Sequence, residues 1–311
     1  MNRRDMLLTA GAAAIGLSAF PLNLAAATEK KRHKVLYFTR SAGFQHPPVI
    51  RKGDELSDSE KLLTKWGKKA GLDVVCTKDG AVFDGDLGQF DAFIFYTSGD
   101  LTGKCERPQP GAAMSPEGKK KFLAAIEAGK GFVGIHSATD SFRSAGVDPY
   151  TAMIGAEFLT HGDQQKATME VVSPKFPGMK GLGKSFAIHE EWYAQHKFAK
   201  DLRVILVQET KGMTGEPYQR PPYPATWARM QGKGRVFYTS MGHDEIWRNK
   251  IFRQVLMGGI AWAVRDVDAD VKPNIAQVTP GANKTKNETL ASTLGKHEIP
   301  KGRNHEKKEI G

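Results

Sequence analysis

The chain has 311 residues, 40% of them hydrophobic and 16 of them Phe, which suits one large domain or two small ones with a real core. A mean hydropathy of −0.43 argues against an integral membrane protein. The formal charge of +11 suggests nucleic acid, but the basic excess lies in solvated-looking stretches (29–34, 119–121 and the C-terminal tail) and is not interleaved with exposed aromatics, which argues against such a partner.

In chain order, Arg3 and Arg4 precede an apolar stretch over residues 6–24, and Ala25, Ala26 and Ala27 follow. This reads as a twin-arginine export signal over 1–27, with a lone membrane anchor as the alternative. It predicts a periplasmic or otherwise exported protein with no stable membrane span after cleavage. The twin-arginine route carries folded proteins, a mild pointer to a bound metal or cofactor. Only Cys76 and Cys105 are present, without a C-x-x-C motif, so no disulfide framework holds the fold. A single disulfide and two separate thiols are both compatible with the sequence.

Residues 34–39 (KVLYFT), 72–77 (LDVVCT), 92–97 (AFIFYT) and 131–136 (GFVGIH) are short apolar runs of strand formers, read as buried parallel strands. Helical patterns separate them: 57–70, with Ser57 or Ser59 as cap and Gly71 at its end, and 115–128, with Ser115, Pro116 and Gly129 in the corresponding places. Further strands are expected at 168–173, 202–207 and 235–240, and a closing helix at 251–264 with Asp244 in a capping turn before it. Segments 176–184 and 212–223 read as loops. From 270 to 311 the composition predicts a disordered or loosely packed tail. The alternation of strand and helix predicts an α/β fold with a doubly wound, mostly parallel sheet.

In such a sheet, ligands bind beyond the carboxyl ends of the strands. Polar residues follow four of the expected strands: Arg40 to His46, then Ser98, Gly99 and Asp100, then His136 to Asp140, and lastly Gly242, His243 and Asp244. Gly134, Ile135, His136, Ser137 and Ala138 resemble a nucleophile elbow with imidazole at its centre. Such a histidine can act as general base or metal ligand, or can be a buried residue satisfying the backbone. His243 follows the last strand, His161 precedes Gly162, and Glu190, Glu191 and Tyr193 supply acid, base and hydrogen-bonding groups, only one of the two carboxylates being able to face a site. His46, His136, His161 and His243 with a carboxylate are suitable ligand types for Zn²⁺ or a similar divalent ion, although no H-x-x-x-H or H-E-x-x-H spacing occurs. Phe44, Trp192, Tyr193, Trp227 and Trp247 suit either a sugar-stacking pocket or a core. His196 is expected at the surface, and His33, His297 and His305 in flexible ends.

The segments KVLYFTRSAGFQH, FYTSGDL, GKGFVGIHSATDSF, GAEFLTHG, HEEWY and GKGRVFYTSMGHD resemble the ThuA-like (trehalose utilisation) family over residues 33–265. The resemblance implies a class I glutamine amidotransferase-like, flavodoxin-like three-layer sandwich without the catalytic cysteine, and carbohydrate metabolism as the setting. The motif positions it carries over are His46, Gly99, His136, His161, Glu191, Trp227, Gly242 and His243. The expected site then has His136, Glu191 and His243 as catalytic groups and His46, Gly99, Glu190, Tyr193 and Trp227 as substrate contacts. His136, His161 and His243 are the expected metal ligands. The expected substrate is a small carbohydrate, in particular a keto-sugar isomerised or cleaved after proton abstraction beside its carbonyl. A non-catalytic carbohydrate-binding domain and an amidotransferase-like hydrolase are the rival readings. An assembly of identical chains is compatible with the sequence.

Overall fold

Strand β1 (His33–Phe38) sends alternate side chains to opposite faces. Val35 and Tyr37 enter one apolar core, Leu36 and Phe38 a second. A strand buried on both faces must read as an unbroken apolar run, and β3 (Ala92–Phe95) and β4 (Gly131–Ile135) follow the same rule. The computed structural model describes residues 32–284, so the expected export signal at 1–27, and His297 and His305, lie outside the described residues.

The main sheet has nine strands, in the order β2 (Leu72–Thr77), β1, β3, β4, β11 (Gly234–Thr239), β10 (Tyr223–Gln231), β9 (Arg203–Gln208), β6 (Gln165–Val171) and β7 (Ser185–Glu190). From β2 to β11 the neighbours are parallel, and from β11 to β7 each pairing is antiparallel. Seven of the nine strands therefore share one direction, and only β10 and β6 oppose it. The sheet is mostly parallel by direction, with an antiparallel extension along one edge. Strands β5 (Glu157–His161) and β8 (Tyr193–His196) form a separate antiparallel pair.

Helices cover both faces, making a three-layer α/β sandwich. Leu63 of α1 (Asp58–Ala70) and Phe252, Val255, Leu256 and Ile260 of α4 (Lys250–Ala263) close the first core. Phe122 and Ile126 of α2 (Pro116–Glu127) and Tyr150, Met153 and Ile154 of α3 (Pro149–Ile154) close the second. Ser57 and Glu60 form a reciprocal capping box at the start of α1, and Gly71 ends that helix. The cap of α4 is Asn249, which accepts from the Ile251 N–H, and not Asp244, which opens a separate short turn.

Three other expectations are corrected. Residues 270–284 are docked, not loose: Ile275 of α5 (Ile275–Val278) and Ala282 join the second core. The side-chain amides of Asn274 and Asn283 each bond both the N–H and the C=O of one backbone residue, Val204 and Phe198 respectively. His33 is buried between Asp91 and Asp266 at 3.2 and 3.1 Å, and His196 pairs with Glu157 at 3.0 Å. Both cysteines are free, and burial pushes the Cys76 thiol up to about 11. Among the described residues no helix is long and apolar enough to cross a membrane.

Candidate functional site

His136 occupies the first position after β4 with φ +48°, in a short turn over His136–Asp140. A non-glycine residue held in the left-handed region is strained, as the elbow pattern implied. Its Nδ1 lies 2.7 Å from the carbonyl oxygen of Ser240, just after β11. A carbonyl only accepts, so Nδ1 carries a proton and donates it. Nε2 then points inward, buried and without a hydrogen bond. Gly242 makes this fit possible, since a Cβ there would stand 2.6 Å from the His136 Cβ.

Glu191 joins β7 to β8 and receives imidazoles from four separate segments. His136 Nε2 and His46 Nε2 stand 3.3 and 3.6 Å from its Oε2. His161 Nδ1 and His243 Nε2 stand 3.8 and 3.9 Å from its Oε1. Burial alone would raise the Glu191 carboxyl, but its imidazole neighbours, His136 and His46 foremost, hold it well below the usual carboxylate range. Burial brings His46 down to about 4 and also lowers His243, against the pull of Glu191 on both. Both rings are therefore neutral near pH 7, with lone pairs to offer. Tyr193 starts β8 with its hydroxyl 3.1 Å from His46 Nε2. Burial, then the charge of Glu191, keeps that hydroxyl protonated far above its usual range, so it is able to donate.

The adjacent carboxylates divide as strand alternation requires. Glu191 faces the cluster, whereas Glu190 is buried and accepts backbone N–H groups from Glu191, Gly242 and His243 at 3.0, 3.1 and 3.0 Å. Burial pushes Glu190 well above the usual carboxylate value, against those three donors. These bonds latch the β11 turn to the β7–β8 junction. Glu190→Ala is expected to cost about 1–3 kcal/mol of stability by leaving buried N–H groups without an acceptor, measurable as a lower urea midpoint at unchanged slope.

The expected contacts of Gly99 and Trp227 are also corrected. Gly99 has φ +72°, and a Cβ there would lie 2.3 Å from the Gly43 nitrogen. Its N–H and C=O are already engaged by Asp140 and Phe142, so it locks neighbouring loops together. Trp227 is wholly buried in the second core, with Nε1 donating to the Ile154 carbonyl at 2.8 Å. Trp192 and Trp247 are buried as well, while Phe44 is 58% exposed with its ring 4.8 Å from that of His46. Beside the cluster the structure adds residues to which the sequence gave no role. Phe158 lies 4.3 Å from the Tyr193 ring, and Arg143 stands over Phe158 while pairing with Asp140 at 2.7 Å. Asp140 lies in the turn after β4, and its partner Arg143 only three residues on was the available signal.

The trio His136, His161 and His243 expected to hold a metal is not the one whose donor atoms converge. His161 Nδ1 lies 2.9 Å from the Gly162 carbonyl oxygen, which claims its proton. The atoms that lie within 4.8 Å of one another belong to His46, His136 and Glu191.

Residues 34–263 match the family model ThuA, described as trehalose utilisation. A ThuA-like protein from Parabacteroides merdae is 15% identical, with a TM-score of 0.56 over 77% of this chain and 92% of its own. Another from Bacteroides uniformis is 19% identical, with a TM-score of 0.53 over 82% of this chain and 98% of its own. These likenesses concern the fold. No curated protein matches the chain.

Proposed function

Because the chain belongs to the ThuA family of trehalose utilisation, we propose that it is an enzyme acting on a sugar or keto-sugar by removing a proton from the carbon beside a carbonyl. The observation that carries this reading is the ring of four imidazoles around the single Glu191 carboxylate, beside a sheet whose strand ends are the usual place for ligands. Simple sugar binding is usually served by aromatic faces, amides and acids, not by four converging histidines. His161 and His243 are the more open members, with side chains 44% and 13% exposed against 0% for His136. His243, kept neutral by burial, is the group placed to accept the proton from a solute. The electron pair released from the C–H bond moves into an enolate. Return of that proton to the former carbonyl carbon, with the hydroxyl proton passing between the two oxygens of the enediol, isomerises the sugar. Collapse of the enolate with expulsion of a glycosidic oxygen on the carbon next to the deprotonated one cleaves it; that oxygen takes the proton from His243 and leaves as an alcohol. The arginine pair near the N-terminus supports placing this activity outside the cytoplasm.

Product analysis across trehalose, cellobiose and their keto forms tests the reading. The keto forms should be consumed and the parent sugars left intact, since only a carbonyl acidifies the adjacent C–H. Binding without any product would turn the assignment to a non-catalytic carbohydrate-binding domain. Glutamine hydrolysis would favour the amidotransferase reading, which His136 at the elbow and the remote Cys76 and Cys105 weigh against.

A further inference from the structure

Two independent features of the Glu191 cluster concern what lies between its atoms. The first is spacing. The His136 and His46 Nε2 atoms both face one oxygen, Glu191 Oε2, at 3.3 and 3.6 Å. A charge-assisted hydrogen bond would close to about 2.7–2.9 Å. Atoms bound to one ion at about 2.0–2.1 Å in tetrahedral directions stand roughly 3.4 Å apart, close to the two N–O separations found, and the two nitrogens lie within 4.8 Å of each other.

The second is the placement of protons. His136 spends its ring proton on the Ser240 carbonyl, so in the neutral ring Nε2 is a bare lone pair. That atom has no hydrogen bond, belongs to a residue with no solvent exposure, and is aimed at a carboxylate. Two lone-pair atoms facing each other in a buried setting repel unless a cation joins them. A second proton on the ring would serve, but would draw the pair to hydrogen-bonding distance.

We propose that His46 Nε2, His136 Nε2 and Glu191 Oε2 bind a divalent first-row transition-metal ion of the zinc class. Two imidazoles and a carboxylate are a known catalytic donor set that leaves coordination positions open. The Ser240 carbonyl is the outer partner that fixes the tautomer and aim of His136, as ligating histidines require. The Tyr193 hydroxyl lies 3.1 Å from His46 Nε2. With that nitrogen bound to an ion, the hydroxyl would be a hydrogen-bonding group next to the site. His161 and His243 face the other carboxylate oxygen and stay outside the ligand set. The assignment deepens the reading above by naming the group that would polarise a substrate carbonyl, yet it is tested without any sugar.

The full-length protein is stripped with a chelator, then titrated with Co²⁺, followed by d–d absorption, and with Zn²⁺, followed by the unfolding midpoint. Elemental analysis of the untreated protein accompanies both. Stoichiometric uptake, a tetrahedral or five-coordinate Co²⁺ spectrum and a rise in midpoint with Zn²⁺ are expected. His46→Ala and Glu191→Gln should each weaken uptake at least about 100-fold, since a direct ligand matters more than the outer partners whose loss costs about 10–100-fold. His196→Asn, on a histidine engaged by Glu157, should leave uptake unchanged. Circular dichroism checks each variant, and if one fails to fold the other decides. No stoichiometric uptake by the native protein, or uptake unaltered in both ligand variants, overturns the site. Metal uptake without turnover of keto-sugars removes the sugar reading alone.

Discussion

Glu191→Gln is expected to lower turnover of a keto-disaccharide by about 10²–10⁴-fold while the protein remains folded, the range associated with loss of a positioned acid–base group. The amide keeps the size of the side chain but loses the charge that four imidazoles surround. His136→Ala should have a comparable effect, because His136 faces the same oxygen and is fixed by Ser240. Residues that act as a unit are strongly non-additive. The double variant should therefore be little worse than the poorer single one. Steady-state rates on the three proteins decide the matter: unchanged turnover in His136→Ala removes that residue from the mechanism, and multiplicative losses would mean independent roles.

Trp227→Ala should destabilise the protein by about 3–5 kcal/mol, the usual cost of deleting a large buried aromatic. The ring sits 4.3 Å from that of Tyr238 and 5.8 Å from that of Phe198, and its N–H satisfies the Ile154 carbonyl. Trp227→Phe should recover much of the packing and leave KM for a sugar unchanged. Urea denaturation beside KM values separates the alternatives. Normal stability with a raised KM would return Trp227 to the binding site.

The parallel half of the sheet was legible because β1, β3 and β4 are apolar on both faces, and because Ser57, Gly71 and Ser115 mark helix ends by local chemistry. In the antiparallel extension β6 and β9 coincide with the strands expected at 168–173 and 202–207, but β7 and β10 were not expected, nor was the separate pair β5 and β8. EFLTH, SFAIHE and YAQH in β5, β7 and β8 mix polar and apolar residues in short runs, and Pro224 stands within β10. Their pairing depends on partners far along the chain. The histidines could be found by their positions after strands, and the alternation at Glu190 and Glu191 was foreseen. Which imidazoles share an oxygen was not readable, since it depends on side-chain direction and on the carbonyls of Ser240 and Gly162. Trp227 could not be placed because burial and sugar stacking favour the same residue type.

The chain order of the strands has a kinetic consequence. His46 follows β1, His136 follows β4, and Glu191 lies between β7 and β8, so the three come together only when distant segments have met. Long-range pairing makes such assembly slow. A nascent or half-refolded polypeptide would offer these donors one at a time, each too weak alone to retain an ion. Capture would therefore be among the last events of maturation, and chelator present during refolding should change the thermal resistance of the product while sparing the early rate of secondary-structure recovery.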